Sequence, residues 1–117
     1  MLYGVPKAVE TLVLIYNKDL IDKPLDSLQA WYDFSKAQRA QNKYGLLAKF
    51  DQIYYSWGAI GPMGGYIFGK NANGGFNPQD VGLNKPGAVE AVTFLKKFYS
   101  DNVFPAGILG DNGLNAI

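Results

Sequence analysis

The chain has 117 residues, enough for one domain with a genuine core. Its 48% hydrophobic and 18% charged content is globular composition, and the formal net charge of +1 offers no electrostatic case for nucleic acid or an anionic membrane. Neither cysteine nor histidine is present, so disulfides, thiolate chemistry, His-based triads and the commonest metal ligand are excluded.

From the N-terminus, Pro6 directs Val5 toward extended geometry. Ala8 to Tyr16 is an almost uninterrupted β-favouring run, which predicts a central strand over Val9–Tyr16 covered on both faces. Glu10 interrupts it. A carboxylate there must be solvated, paired or turned toward a site, and the residues alone leave these open. Asp26 or Ser27 is the expected N-cap of a helix running to about Lys43, with Gln29 placed as in a capping box after Asp26. Tyr44-Gly45 is the expected stop, with glycine available for the left-handed cap.

Leu46-Leu47-Ala48 reads as a short buried strand, and the stretch from Lys49 to Phe68 follows it. There Asp51, Gln52, Ile53, Tyr54, Tyr55 and Trp57 run into a glycine-studded turn. A strand end that releases acid, amide and aromatic groups into a helix start suits a ligand in an α/β sheet. Aromatic faces with neighbouring carboxylate and amide groups suit carbohydrate. Trp57 reads as packing, whereas Tyr54 and Tyr55 are equally compatible with core and with contact. Gly64-Gly65 lies in neither a GxGxxG nor a Walker pattern and reads as a tight turn before a strand.

Asn71-Ala72-Asn73-Gly74-Gly75 predicts a hairpin turn. Asn71, Asn73 and Asp80 lack the acidic spacing and terminal glutamate of a calcium loop, so no metal is expected. Val81-Gly82-Leu83 reads as extended, and Pro86 opens a helix to Ser100 with Ala88, Ala91, Val92, Leu95 and Phe98 or Tyr99 as its apolar stripe. Asp111 to Ile117 has the start of a helix cap with no helix behind it, and the segment reads as cut from something longer. No stretch approaches the ~20 apolar residues a bilayer span needs, and no signal peptide is visible.

For an enzyme, Glu10 and Asp51 are the one carboxylate pair placed near a common strand-end edge, as a glycosidase would require. Both groups equally suit hydrogen-bonding a sugar without cleaving it. Non-catalytic binding without a cofactor is the expectation.

Three blocks carry a resemblance: Ala8 to Leu12 with Leu14 to Leu20; Tyr54-Tyr55-Ser56-Trp57 with Gly64-Gly65-Tyr66; and Asp80-Val81-Gly82 with Gly87-Ala88 and Thr93-Phe94-Leu95. In that order and separation the chain resembles the middle of bacterial maltose- and maltodextrin-binding proteins, the extracellular solute-binding components of ABC transporters. The resemblance implies an α/β fold, with residues 1–117 a single fragment of one lobe of a two-lobe periplasmic-binding-protein type II fold: a mixed sheet flanked by helices. It implies maltose or maltodextrin as ligand, held between this lobe and a missing second one, and delivery to a membrane permease. An extracellular or periplasmic, cell-surface location is implied too, with a leader or lipid anchor on the missing N-terminal part. Position by position, Glu10 matches an acidic residue that hydrogen-bonds sugar hydroxyls, and Tyr54 an aromatic that stacks on a glucose ring. Gln52 stands where well-known members carry glutamate, Ile53 replaces a proline, and Tyr55 replaces another aromatic lining the cleft. Glu10, Gln52, Ile53, Tyr54 and Tyr55 are therefore the expected ligand-binding residues, with some of Glu10, Gln52, Tyr54 and Tyr55 expected to be accessible together.

Overall fold

A computed structural model describes residues 2–109. The expected cap at Asp111–Ile117 lies outside them. Five elements follow in order: α1 (Leu28–Ala40), α2 (Ile53–Ile60), β1 (Phe68–Lys70), β2 (Phe76–Val81) and α3 (Pro86–Ser100). This is the mixed helix and sheet content the sequence predicts.

Of the two N-cap candidates for α1, Ser27 is used: its hydroxyl accepts from the Ala30 N–H at 3.1 Å. Gln29 forms no capping box and instead donates to Asp33 one turn on, at 2.9 Å. The helix ends at Ala40, short of Lys43, because Asn42 takes the left-handed conformation at φ 59° and closes the last turn. Gly45 has another purpose. A Cβ there would sit 2.6 Å from the Ser35 backbone, so its bareness lets the chain cross α1 closely. Helix α3 begins with Pro86 in its first turn and runs to Ser100 as expected.

The hairpin turns where predicted. Asn71 N–H donates to Gly75 O at 2.9 Å, and Gly74 supplies the positive φ of 82°. β1 and β2 pair antiparallel, with a register shift between Phe68 and Gly69. Pro78 has no N–H for the ladder, and Asn77 accepts from Gln79 N–H at 3.1 Å, so the strand bulges at that point.

Two expected strands do not form. The sheet among the described residues has two strands, β1 and β2, so the segment 9–16 has no ladder partner and lies exposed without assigned secondary structure. A strand exists only through its neighbour, and propensity alone cannot supply one. Leu46–Ala48 is likewise unpaired. Side chains satisfy its surroundings instead: Leu46 N–H donates to Ser35 Oγ at 2.9 Å and Phe50 N–H to Tyr99 Oη at 2.9 Å.

The main core lies between α1, α3 and the segment after α3, where Tyr32, Phe98, Val103, Phe104 and Ile108 are buried. Its rings meet mostly edge to face, Tyr32 and Phe98 at 5.4 Å and 84°, Phe50 and Phe98 at 5.7 Å and 70°. A smaller cluster of Ile60, Ala88 and Ala91, with Trp57 against it, joins α2 to α3. Gly65 fits there because a Cβ would meet Ile60 at 2.5 Å. That close approach fixes the path from α2 into β1.

Candidate functional site

Gln52 is the N-cap of helix α2, and its carbonyl accepts from Tyr55 N–H and Ser56 N–H at 3.0 Å each. Its residues divide by helical spacing. Ser56 and Ile60, four apart, face inward and are buried. Ile53, Tyr54, Trp57 and Gly58 line an open concavity of about 490 Å³ on another side. Glu10, Thr11 and Leu12 of the N-terminal arm also line it, as does Ile67, just ahead of β1.

Three of the five sequence-predicted residues thus meet: Glu10, Ile53 and Tyr54. Tyr54 is 51% exposed, so part of this aromatic side chain is open to an apolar partner. Glu10 is the one carboxylate lining this concavity, and among the described residues the ion pair that forms is elsewhere, between Lys85 and Asp80 at 3.6 Å. The carboxylate is thus available to hydroxyl donors.

The other two lie apart. Tyr55 meets Tyr54 edge to face at 5.1 Å but, one residue further round the helix, lines a separate apolar groove of about 600 Å³ with Leu12, Leu14, Leu28 and Trp31. Gln52 is exposed at the start of α2, does not line the concavity and makes no side-chain cap bond. Gln52 and Tyr54 are accessible with Glu10, and Tyr55 is half-buried. Asp51 borders another concavity, formed with Phe50, Val92, Leu95 and Tyr99. Glu10 and Asp51, the pair considered for acid–base cleavage, thus border different concavities.

Trp57 has two sides. It packs against the Ile60, Ala88 and Ala91 cluster, as its packing assignment requires, and it also borders the concavity. Leu12, Thr11 and Ile67 were missed from the sequence. For Leu12 a signal exists, since residues two apart in an extended segment share a face and Glu10 already marked that face. Ile67 carries no such signal.

The polar groups considered for calcium have other partners. Asn73 accepts from Gly75 N–H at 3.1 Å, and Asp80 accepts from Tyr66 Oη at 2.8 Å, which raises the Tyr66 pKa. No group of three or more acidic, His or Cys side chains suited to a metal occurs among the described residues, and no helix there is long and apolar enough to cross a membrane.

Residues 1–116 match the family described as bacterial extracellular solute-binding protein. The chain is 53% identical over 118 residues to a galactooligosaccharide-binding protein of Bacillus subtilis (strain 168), an alignment covering 99% of this chain and 28% of that protein. It is 40% identical over 112 residues to the maltodextrin-binding protein MdxE of the same organism, covering 91% of this chain and 26% of the relative. A maltooligosaccharide ABC transporter solute-binding lipoprotein of Streptococcus pneumoniae (strain ATCC BAA-255 / R6) is 31% identical over 117 residues, covering 95% and 26%. The chain thus spans about a quarter of the length of these curated relatives. With nearly its whole length matched to the family, and its helices and small sheet in keeping with a fragment of a two-lobe α/β fold, the chain belongs to the bacterial extracellular solute-binding proteins.

Proposed function

We propose that this chain forms part of one lobe of an extracellular oligosaccharide receptor that binds its sugar without cleaving it and passes it to an ABC transporter permease. The observation that carries the reading is the half-exposed Tyr54 ring on the same concavity as the Glu10 carboxylate. A pyranose has an apolar C–H face and a rim of hydroxyls. The first fits flat against an aromatic ring, and the second donates to a carboxylate. The names of the relatives, which bind galactooligosaccharide, maltodextrin and maltooligosaccharide, support the ligand class.

Two sugars compete within that class. Maltodextrin follows from the resemblance in the three sequence blocks. Galactooligosaccharide is favoured by the higher identity, 53% against 40%, to the relative of that name. Gln52 and Ile53, the departures from the best-known maltose receptors, agree with a change of sugar. The galactooligosaccharide reading is therefore placed first. A cell-surface location, with the lipid anchor that the pneumococcal relative's name specifies, belongs to the same proposal.

Half of a two-lobed cleft must still meet the full entropic cost of fixing a sugar, so the 117-residue chain alone should bind weakly. Calorimetric titration of the full-length receptor with a galactotriose and with maltotriose tests the reading. Tighter binding of the galactotriose supports it, tighter binding of maltotriose restores the maltodextrin assignment, and heat from neither removes the oligosaccharide function.

A further inference from the structure

Helix α2 brings Ile53 and Tyr54 to the candidate sugar site, yet little within α2 fixes its direction. It has eight residues, too few to be stable alone. Its N-cap residue, Gln52, makes no side-chain cap bond, so the first turn is not pinned from within. Neighbouring elements must hold it.

Helix α3 does so at both ends. Beside the last turn of α2, Ile60 packs against Ala88 and Ala91. At the entry, two residues ahead of Gln52, the Phe50 backbone N–H donates to Tyr99 Oη at 2.9 Å. The Tyr99 ring is itself braced, meeting Phe104 edge to face at 5.1 Å and 90°. The Phe50 ring also packs on Phe98 and Phe104. Ring packing tolerates sliding and rotation, whereas a hydrogen bond to a backbone N–H allows a narrow range of distance and angle. The hydroxyl therefore sets the direction in which the chain enters α2. From there the Gln52 carbonyl accepts from the N–H groups of Tyr55 and Ser56 and from Ser56 Oγ, each at 3.0 Å. A turn of the entry thus carries the first turn of the helix, and Tyr54, with it.

We infer that Tyr99 is a positioning residue: through the Phe50 N–H it orients the first turn of α2 and so aims the Tyr54 ring at the sugar. This rests on the proposed oligosaccharide function. Tyr99 borders a different concavity, with Phe50, Asp51 and Ser56, and is not among the residues lining the sugar site. Its contribution to affinity passes through Tyr54, so the two side chains must be coupled.

A double-mutant cycle in the full-length receptor tests this, read by calorimetry with galactotriose or maltotriose, whichever binds more tightly. Tyr99→Phe keeps the ring and its packing and removes the hydroxyl alone, so the receptor should still fold. It should weaken binding about threefold, and the same change on a Tyr54→Ala background should cost almost nothing further. Tyr32→Phe removes a hydroxyl from the same aromatic core without touching the entry of α2, and should leave affinity unchanged while stability falls. Additive losses in the cycle, unchanged affinity in Tyr99→Phe, or an equal loss in Tyr32→Phe would each overturn the positioning role and leave the sugar site intact. Unchanged affinity in Tyr54→Ala alone would overturn the site assignment itself, and the inference with it.

Discussion

Two groups of aromatic side chains in this molecule meet water on opposite terms. Tyr32, Phe98 and Phe104 are buried, with Phe50 and Phe94 against them, and the rings interlock across α1, α3 and the segment between α1 and α2. Tyr54 and Tyr55 pair with each other on α2, and Tyr54 leaves half its surface exposed. Side-chain chemistry does not separate the groups. What separates them is whether other elements arrive to cover the ring. Phe98 sits at 0% exposure because α1 and the 103–108 segment both close over it, whereas nothing in residues 2–109 closes over Tyr54. An aromatic left half-uncovered on the same concavity as a carboxylate is available for contact, whereas a covered one contributes to stability.

This contrast breaks most sharply at Phe98. Phe98→Ala should cost about 3–5 kcal/mol of unfolding free energy, because the ring is fully buried and its neighbours cannot all collapse into the space. Chemical denaturation of the full-length protein measures it, and a loss below about 1 kcal/mol would mean that this cluster does not hold the lobe together.

Tyr54→Ala should act in reverse. Its expected loss is about 1–3 kcal/mol in sugar affinity, or one to two decades in Kd. The melting temperature without sugar should hardly change. Paired titration and melting experiments decide it, and a fall in stability with intact affinity would make Tyr54 a core residue.

Trp57 lies between the two groups, so Trp57→Phe sharpens the comparison. It should lose about 1 kcal/mol of stability through its contacts with Ile60, Ala88 and Ala91. Affinity should fall less than in Tyr54→Ala, since only part of the ring borders the concavity. If affinity falls by the larger amount, Trp57 belongs with the ligand.

The smallest expected effect concerns pH. Tyr32 donates to Asp101, and this hydrogen bond, followed by burial, pushes the tyrosine from its ordinary 10.0 up to about 12. The same bond holds Asp101 below its ordinary 3.8. A raised tyrosine pKa gives stability that is complete below 10.0 and disappears as pH rises through about 12. A lowered carboxyl pKa gives stability present above 3.8 and lost as pH falls further. The difference in melting temperature between wild type and Tyr32→Phe should therefore be flat through neutral pH and narrow at both extremes. A difference unchanged at high pH would show that the bond contributes nothing.

Local structure was legible wherever a signal lay within a few residues. Pro86 and the stripe from Ala88 to Phe98 specify α3 to both ends, and Asn-Gly chemistry specifies the hairpin turn. The same holds for the choice of α1, although Asn42 ends it before Gly45 because either residue can adopt the left-handed conformation. The β-favouring run 9–16 misled for a physical reason: strand formation requires a partner distant in sequence, and the described residues provide none.

By itself the sequence determined which side chains were available for binding, where the helices and turn begin, and that His and Cys chemistry was absent. Tertiary structure alone decided that Glu10 and Tyr54, separated by more than forty residues, border one concavity while Tyr55 borders another. It likewise decided that Trp57 both packs against the smaller core cluster and borders that concavity. Residue type and local spacing set what a side chain can do, but which surface it shares depends on how α2 lies against α3 and where the arm rests. Those placements come from close contacts such as Gly65 on Ile60, made between elements and invisible in any short stretch of chain.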